Sequence, residues 1–288
     1  MQRWTRLGII AGGGQLPLKL AQTCKAAGKP YFVIRLKGYA DDSLAGFDGE
    51  ECGIAELGKT IRLLKQESCD AIVMAGLVPR PNFSVLKPDW RGAALLPKAL
   101  SAARKGDGAI LNVLVDTFEA EGFLVIGAEE VAEDLLAPSG HLGSVQPTVK
   151  DKSDMRKAAD VIRALGPFDI GQGAIVRNGF VLAIEAAEGT DQMLRRCANL
   201  PEDMKGYEPD ETQERRGVLL KRPKPGQELR VDLPTIGVET IRGAAAAGLA
   251  GIAIEADAAL IMDRQSLITL ADREGLFVYG FNESDLQS

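Results

Sequence analysis

Leu7-Gly8-Ile9-Ile10-Ala11, followed directly by Gly12-Gly13-Gly14, is the stretch that decides the fold class. A compact apolar run of this length suits a strand covered on both faces, as in a parallel sheet. The glycines stand between that strand and a helical pattern over Leu18–Ala27 that stops at Gly28. Backbone N–H groups and the helix dipole at such a junction attract phosphate, and glycine lets a ligand approach the chain closely. The triplet is neither Gly-x-Gly-x-x-Gly nor a Walker loop, and a plain tight turn accounts for it equally well.

Outward from this junction, strand and helix signals alternate. Tyr31–Leu36, Ala71–Met74 and Leu124–Gly127 read as strands, while Gly53–Gln66, Leu95–Ala103 and Ile110–Glu121 read as helices. Short apolar strands separated by helices predict a Rossmann-like parallel sheet over residues 1–136. Residues 137–152, with Pro138, Gly140, Gly143 and Pro147, read as a linker. A mixed α/β domain is expected over 153–288, opening on a helix at Ser153–Leu165 with Ser153 as its cap. It continues through a hairpin about Asn178-Gly179, a helix at Leu194–Leu200, and strands at Gly217–Lys221 and Leu229–Asp232. A helix at Ile241–Ala247 and strands at Ile252–Glu255, Ala259–Met262 and Phe277–Gly280 complete it. The fold class is α/β in two domains.

A chain of 288 residues suits that division. Aromatics make up only 5%, so the core must rest on Ala, Leu, Ile and Val. The net charge of −6 argues against a general nucleic-acid binder, which needs a basic face. Four scattered cysteines and the lone His141 give no support to zinc or a disulfide framework and fit a reducing compartment. Acid–base work would then fall to carboxylates, lysines or metal-bound water. No apolar run reaches the roughly 18 residues of a membrane span, and Arg3 and Arg6 precede too short an apolar run for a signal peptide. A cytoplasmic protein is expected.

Several polar clusters are candidates for chemistry. Asp232-Leu233-Pro234-Thr235 follows the basic, Pro-broken Lys221-Arg222-Pro223-Lys224-Pro225 and precedes a small-residue helix. An acid on a stiff turn beside cations could hold a divalent metal next to phosphate, although Asp before Pro is also ordinary turn chemistry. Gly76 and Arg80 lie in the loop after the Ala71–Met74 strand, on the sheet edge where ligands of open parallel sheets gather. Arg80 has the fork that grips phosphate, and equally the profile of a surface arginine. Lys98 sits on a small-residue helix closed by Arg104-Lys105, cations that the helix dipole alone would favour. Gln172 lies in a Gly-flanked loop, and Glu188, Thr190 and Asp191 open the helix after the hairpin, where Asp191 could simply cap it.

Taken in order, these pieces resemble the LpxI family of UDP-2,3-diacylglucosamine pyrophosphatases. The matching stretches are LGIIAGGGQLP (7–17), AGLVPRP (75–81), ARKGD (103–107), DIGQGAIV (169–176), EAAEGTDQMLRR (185–196) and KPGQELRVDLPTIG (224–237), with GLAGIAIEA (248–256) and GLFVYG (275–280). Leu77 departs from the polar residue of the family pattern.

The resemblance implies a magnesium-dependent hydrolase of lipid A biosynthesis that splits UDP-2,3-diacylglucosamine into UMP and 2,3-diacylglucosamine 1-phosphate (lipid X). It implies two domains with substrate held between them, UDP with the first and the acyl chains with the second. Asp232 matches the family's essential acid and would be the magnesium ligand. Gly12, Gly13, Gly14, Gly76, Arg80, Lys98, Gln172, Glu188, Thr190, Asp191, Lys221 and Thr235 would touch substrate. Expected partners also include a transient contact with the inner membrane surface and a second copy as a homodimer, but no nucleic acid. Two other readings stay open: a nucleotide-dependent dehydrogenase or transferase, and a non-catalytic nucleotide-sugar or lipid carrier.

Overall fold

The computed structural model describes residues 3–79, 81–104, 106–205 and 215–287. The chain forms two compact units, Met1–Asp134 with Glu228–Asp232, and Leu135–Gln227 with Leu233–Ser288.

The first unit runs β1 (Leu7–Ala11), α1 (Gln15–Ala26), β2 (Tyr31–Leu36), β3 (Gly49–Cys52), α2 (Leu57–Gln66), β4 (Ala71–Ala75), α3 (Trp90–Ala103), α4 (Asp107–Ala120), β5 (Leu124–Val125) and α5 (Ala128–Val131). Its sheet is ordered β3-β2-β1-β4-β5 and its pairings are parallel. All five residues of β1 are buried, as its continuous apolar run requires of a central strand. Leu7 to Ala11 pair with Tyr31 to Arg35 on one side and with Ala71 to Ala75 on the other. Ile34, Leu64, Ile72 and Phe118 join one core beneath the sheet.

The second unit runs β6 (Gly140–Leu142), α6 (Val149–Leu165), β7 (Gly173–Arg177), β8 (Phe180–Ile184), α7 (Gly189–Ala198), β9 (Val218–Lys221), β10 (Thr235–Ile236), α8 (Val238–Ala246), β11 (Gly251–Glu255), β12 (Leu260–Ile261), α9 (Arg264–Glu274) and β13 (Phe277–Phe281). Its main sheet is ordered β6-β13-β11-β9-β7-β8, with β13, β11 and β9 parallel and the outer strands antiparallel. Two cores lie against it, one with α7, α8 and α9 and the other with α6. Asn178 and Gly179 both take positive φ (51° and 76°), as the tight turn of the β7–β8 hairpin demands.

Three expectations are corrected. Residues 137–152 are not a linker: β6 pairs with β13, and α6 begins at Val149. Its cap is Thr148 rather than Ser153. Thr148 Oγ1 accepts the Asp151 N–H (3.2 Å) while the Asp151 carboxylate accepts the Thr148 N–H (2.8 Å), a reciprocal box that satisfies two otherwise orphaned donors. Leu229–Asp232 is not a strand. Leu229, Arg230 and Val231 form a turn, and the segment groups with the first unit rather than with the sequence around it.

Candidate functional site

In the first unit the chain order reverses about β1, which has β2 on one side and β4 on the other. This is the topological switch point where open parallel sheets bind ligands, beyond the carboxyl ends of the strands. The loops after β1 and β4 meet there. Gly12 N–H donates to the Ala75 carbonyl (2.8 Å), Gly13 N–H to the Leu77 carbonyl (2.9 Å) and Leu77 N–H to the Gly13 carbonyl (2.8 Å). That approach explains Gly76, whose φ is +90° and whose added Cβ would lie 2.5 Å from the Gly13 oxygen. Gly14 is different: it caps α1 without a side-chain bond, and a Cβ there would meet open space. Of the glycine candidates, Gly14 is the one whose backbone faces room for a ligand at a helix N-terminus.

Asp232 belongs to this same unit. The turn carrying it is held by Val231, packed against the first unit's core, and by Arg230. The Arg230 guanidinium donates to both Glu228 oxygens (2.8 and 2.7 Å) and to Glu119 on α4 (2.6 Å). The hydrogen bond from Arg230 holds the Glu228 carboxyl below its ordinary pKa, and its two acid partners hold Arg230 more firmly protonated. The Asp232 N–H donates to the Glu228 carbonyl (3.2 Å), and its side chain is half-buried.

A second cluster forms at one edge of the main sheet in unit 2, where β9 ends, β7 begins and β8 ends. Lys221, the last residue of β9, is buried with 4% of its side chain exposed. Its ammonium donates to Thr190 Oγ1 (2.6 Å), reaches the Thr235 carbonyl (3.5 Å) and lies 3.8 Å from Glu185 Oε2. Thr190 in turn donates to Glu185 Oε1 (2.9 Å). The result is a buried Lys–Thr–Glu relay. Glu185 has only 9% side-chain exposure, and its Oε2 has no hydrogen-bond partner. Gly173 makes room for that oxygen, since a Cβ there would lie 2.5 Å from it.

Gln172 shares this edge. Its Oε1 accepts from the Gln227 side chain (3.2 Å) and its carbonyl from the Arg222 N–H (3.0 Å). Arg222 pairs with Glu255 at the end of β11 (3.0 Å) and with Glu283 (3.1 Å), and Lys224 pairs with Asp169. Thr235 contributes its carbonyl to Lys221, while its hydroxyl donates to the Leu233 carbonyl (3.1 Å).

The structure thus brings Gln172, Thr190, Lys221 and Thr235 together in unit 2, and Gly12, Gly13, Gly14 and Gly76 together in unit 1. Glu188 instead faces Arg196 (2.7 Å), which holds its carboxyl below the ordinary value, and Asp191 is exposed in the first turn of α7 rather than capping it. Lys98 pairs with Asp116 of α4 (3.6 Å) on the surface. Arg80 lies outside the described residues.

Glu185 and Arg230 are the residues that reading the sequence missed. The signal for Glu185 was an acid at the end of the apolar run Phe180–Ile184, a position that burial makes costly without a partner.

The donor chemistry is selective. Among the described residues, no group of three or more His, Cys, Asp and Glu is placed to cage a metal. Magnesium needs no such cage, because one or two carboxylates, water and substrate phosphate suffice, and the half-buried Asp232 fits that mode. The four cysteines are buried, and burial pushes the Cys24 and Cys69 thiols up to about 11, which leaves them inert as nucleophiles. No helix among the described residues is long and apolar enough to cross a membrane.

Comparison with known proteins agrees with this two-unit layout. The LpxI N-terminal domain family model matches residues 6–135, and the LpxI C-terminal domain model matches residues 138–279. The chain is 52% identical over 280 residues, 97% of its length and 99% of the relative's, to UDP-2,3-diacylglucosamine pyrophosphatase LpxI of Caulobacter vibrioides. It is also 28% identical over 169 residues to methionyl-tRNA formyltransferase of Bifidobacterium adolescentis, spanning 55% of this chain and 49% of that protein. With both halves matched in order and a relative at 52% identity end to end, the chain belongs to the LpxI family.

Proposed function

We propose that this chain is a hydrolase that cleaves the pyrophosphate of UDP-2,3-diacylglucosamine, giving UMP and 2,3-diacylglucosamine 1-phosphate (lipid X), with magnesium as its cofactor. The observation that carries the reading is the end-to-end 52% identity to a relative named for that substrate and that bond. Water adds to one phosphorus while the bridging P–O bond breaks, so the two products share the oxygens of one water and the former bridge. Magnesium, when bound, would neutralise charge on the phosphoryl oxygens and lower the pKa of water.

Asp232 would hold that ion, with substrate phosphate and water completing the shell. The Arg230–Glu228–Glu119 bonds and the packed Val231 fix the turn from which Asp232 acts, so little ordering is left for the reactive moment. Gly14 and the α1 N-terminus supply an anion-favouring end at the switch point, suited to the nucleotide's phosphates. In unit 2, Lys221 keeps the Thr190 hydroxyl oriented toward Glu185, and this buried relay together with Gln172 forms a polar floor suited to the sugar phosphate. Lys221 is internally engaged, so its role is to set Thr190 rather than to roam as a phosphate clamp.

Turnover separates this reading from the carrier and dehydrogenase readings. Purified chain given UDP-2,3-diacylglucosamine and magnesium should release UMP, stop on chelation and resume with magnesium. Binding without UMP release would make the chain a carrier, and undiminished release after exhaustive chelation would remove the metal from the reaction.

A further inference from the structure

The outward side of α3 has the wrong polarity for a helix that faces water. Trp90, Ala93, Ala94, Pro97 and Leu100 are exposed and, at about 100° per residue, fall on one continuous stripe that Ser101 alone interrupts with a hydroxyl. The opposite side, with Ala102 and Ala103 buried and Leu95 against the unit 1 core, packs toward α2 and α4. The exposed positions of α6, by contrast, include Lys150, Ser153, Lys157 and Asp160. On α3, Trp90 is 74% exposed and Leu100 41%. Leu77 (72%) and Val85 (68%), from the loop that leads into the helix, are exposed as well. Scattered apolar residues on a surface need no explanation, but an apolar stripe along one helix with more in the preceding loop does.

Charge singles out the same segment. Residues 77–105 hold six of the chain's 34 Lys and Arg and one of its 40 Asp and Glu, Asp89. Asp89 is used locally, since its carboxylate accepts the Gly92 and Lys59 N–H groups (both 2.8 Å). Arg91 pairs with Glu121 and Lys98 with Asp116 (3.6 Å), whereas Lys87 and Arg104 are exposed beside the stripe. A basic segment in a chain of net charge −6 is segregation, not average composition.

We infer that this face, α3 with the exposed Leu77 and Val85, docks the protein on an anionic lipid bilayer. A tryptophan and aliphatic side chains suit the headgroup boundary, lysine and arginine suit the negative lipid surface, and a helix lying flat brings both to it together. A second copy of the chain suits the face less well, because a two-fold contact sets the same cations against one another. The inference goes beyond the proposed hydrolysis and does not depend on it.

The test uses the full chain and vesicles without substrate, one set of phosphatidylcholine and one with phosphatidylglycerol added. Co-sedimentation should favour the anionic vesicles by roughly ten-fold, and 1 M salt should abolish that preference as the screening length falls from about 10 to about 3 Å. Trp90 emission should shift to the blue on binding, since Trp4 is already buried. The double variant Trp90→Ser, Leu100→Ser should keep the wild-type circular dichroism and melting temperature, and its turnover of a short-chain, water-soluble substrate. Its vesicle binding should fall roughly ten-fold, in line with the apolar area removed. Equal binding by variant and wild type would overturn the inference, as would binding indifferent to lipid charge and salt. Sedimentation velocity showing a wild-type dimer that the variant dissociates, with no vesicle binding, would assign the face to a second copy instead.

Discussion

Removing one member of the Lys221–Glu185 pair should cost far more than removing both. The charges lie 3.8 Å apart with 4% and 9% side-chain exposure, so solvent screens them little. At an effective dielectric of about 20 the attraction is about 4 kcal/mol, which offsets part of the several kcal/mol needed to dehydrate each ion. Lys221→Met leaves Glu185 with the Thr190 hydroxyl alone and an Oε2 that already lacks a partner, a loss of about 3–5 kcal/mol. Glu185→Gln still accepts from Thr190 but strands the ammonium against Thr190 and one carbonyl, a loss of similar size. For a unit of this length each kcal/mol moves the melting temperature by about 2–4 °C, so either single variant should melt about 10 °C lower. The double variant should recover most of that. Scanning calorimetry measures the shifts, with hydrogen exchange of the β7 and β9 amides assigning the transition to unit 2. Single variants that melt within about 2 °C of wild type, or a double variant whose loss equals the sum of the singles, would refute a buried, coupled pair.

Other consequences can be checked alongside. Asp232→Asn should lower turnover at least about 100-fold while leaving the melting temperature and the dissociation constant for UMP near wild type, as measured by kinetics and calorimetry. Gly14→Ala, with open space for its Cβ but a φ of +86°, should cost about 1–3 kcal/mol of positive-φ strain and show a further effect in nucleotide affinity, whereas Gly76→Ala, which adds a Cβ 2.5 Å from the Gly13 oxygen to a φ of +90°, should destabilise unit 1 by more than Gly14→Ala does. Glu228 is held below the ordinary 4.5, so the stability it contributes is present above that pH and lost as pH falls through the depressed value; Glu228→Gln should flatten the acid limb of the stability–pH curve. Asp154 runs the other way. Burial raises its carboxyl above the ordinary 3.8 despite bonds from the Asn178 and Gly179 N–H groups, so its contribution is full below that pH and falls as pH rises through the raised value, and Asp154→Asn should remove that slope in urea titrations at several pH values.

Where the sequence spoke clearly, local chemistry was sufficient. Tyr31–Leu36 coincides with β2 because an apolar run between Pro30 and Gly38 leaves the strand no other boundary. What stayed hidden was set by partners far along the chain. Gly49–Cys52 is an edge strand whose Glu50 and Glu51 are exposed, so it carries no apolar pattern, and β6 is three residues that count as strand only because β13 lies beside them. Helix α9 was legible and overlooked: Asp263 caps it through the Ser266 N–H (3.3 Å), with Leu267, Leu270 and Ala271 buried at helical spacing. The site divides in the same way. The two glycine loops could be placed at one sheet edge from strand order alone. That Glu185 would close on Lys221 could not, because it depends on the antiparallel register that sets Gly173 opposite Lys221 and on the Glu185 N–H bonded to the Gly173 carbonyl (2.8 Å).

That register also bears on what the pair does. Buried ion pairs are weak sources of stability, and apolar residues of matching volume often do as well or better. The Lys221–Thr190–Glu185 relay therefore calls for a reason other than stability. Methionine and leucine could fill the same space, but they would leave the Thr190 hydroxyl free to rotate. A hydroxyl donated to one acid and accepting from one ammonium has its lone pair and proton directions fixed before any ligand arrives, which is what recognition of a sugar phosphate needs. The Lys221→Met, Glu185→Gln double variant, which melts near wild type, should still lose affinity for the lipid phosphate, and a stable but poorly binding protein is the outcome that separates orientation from stability.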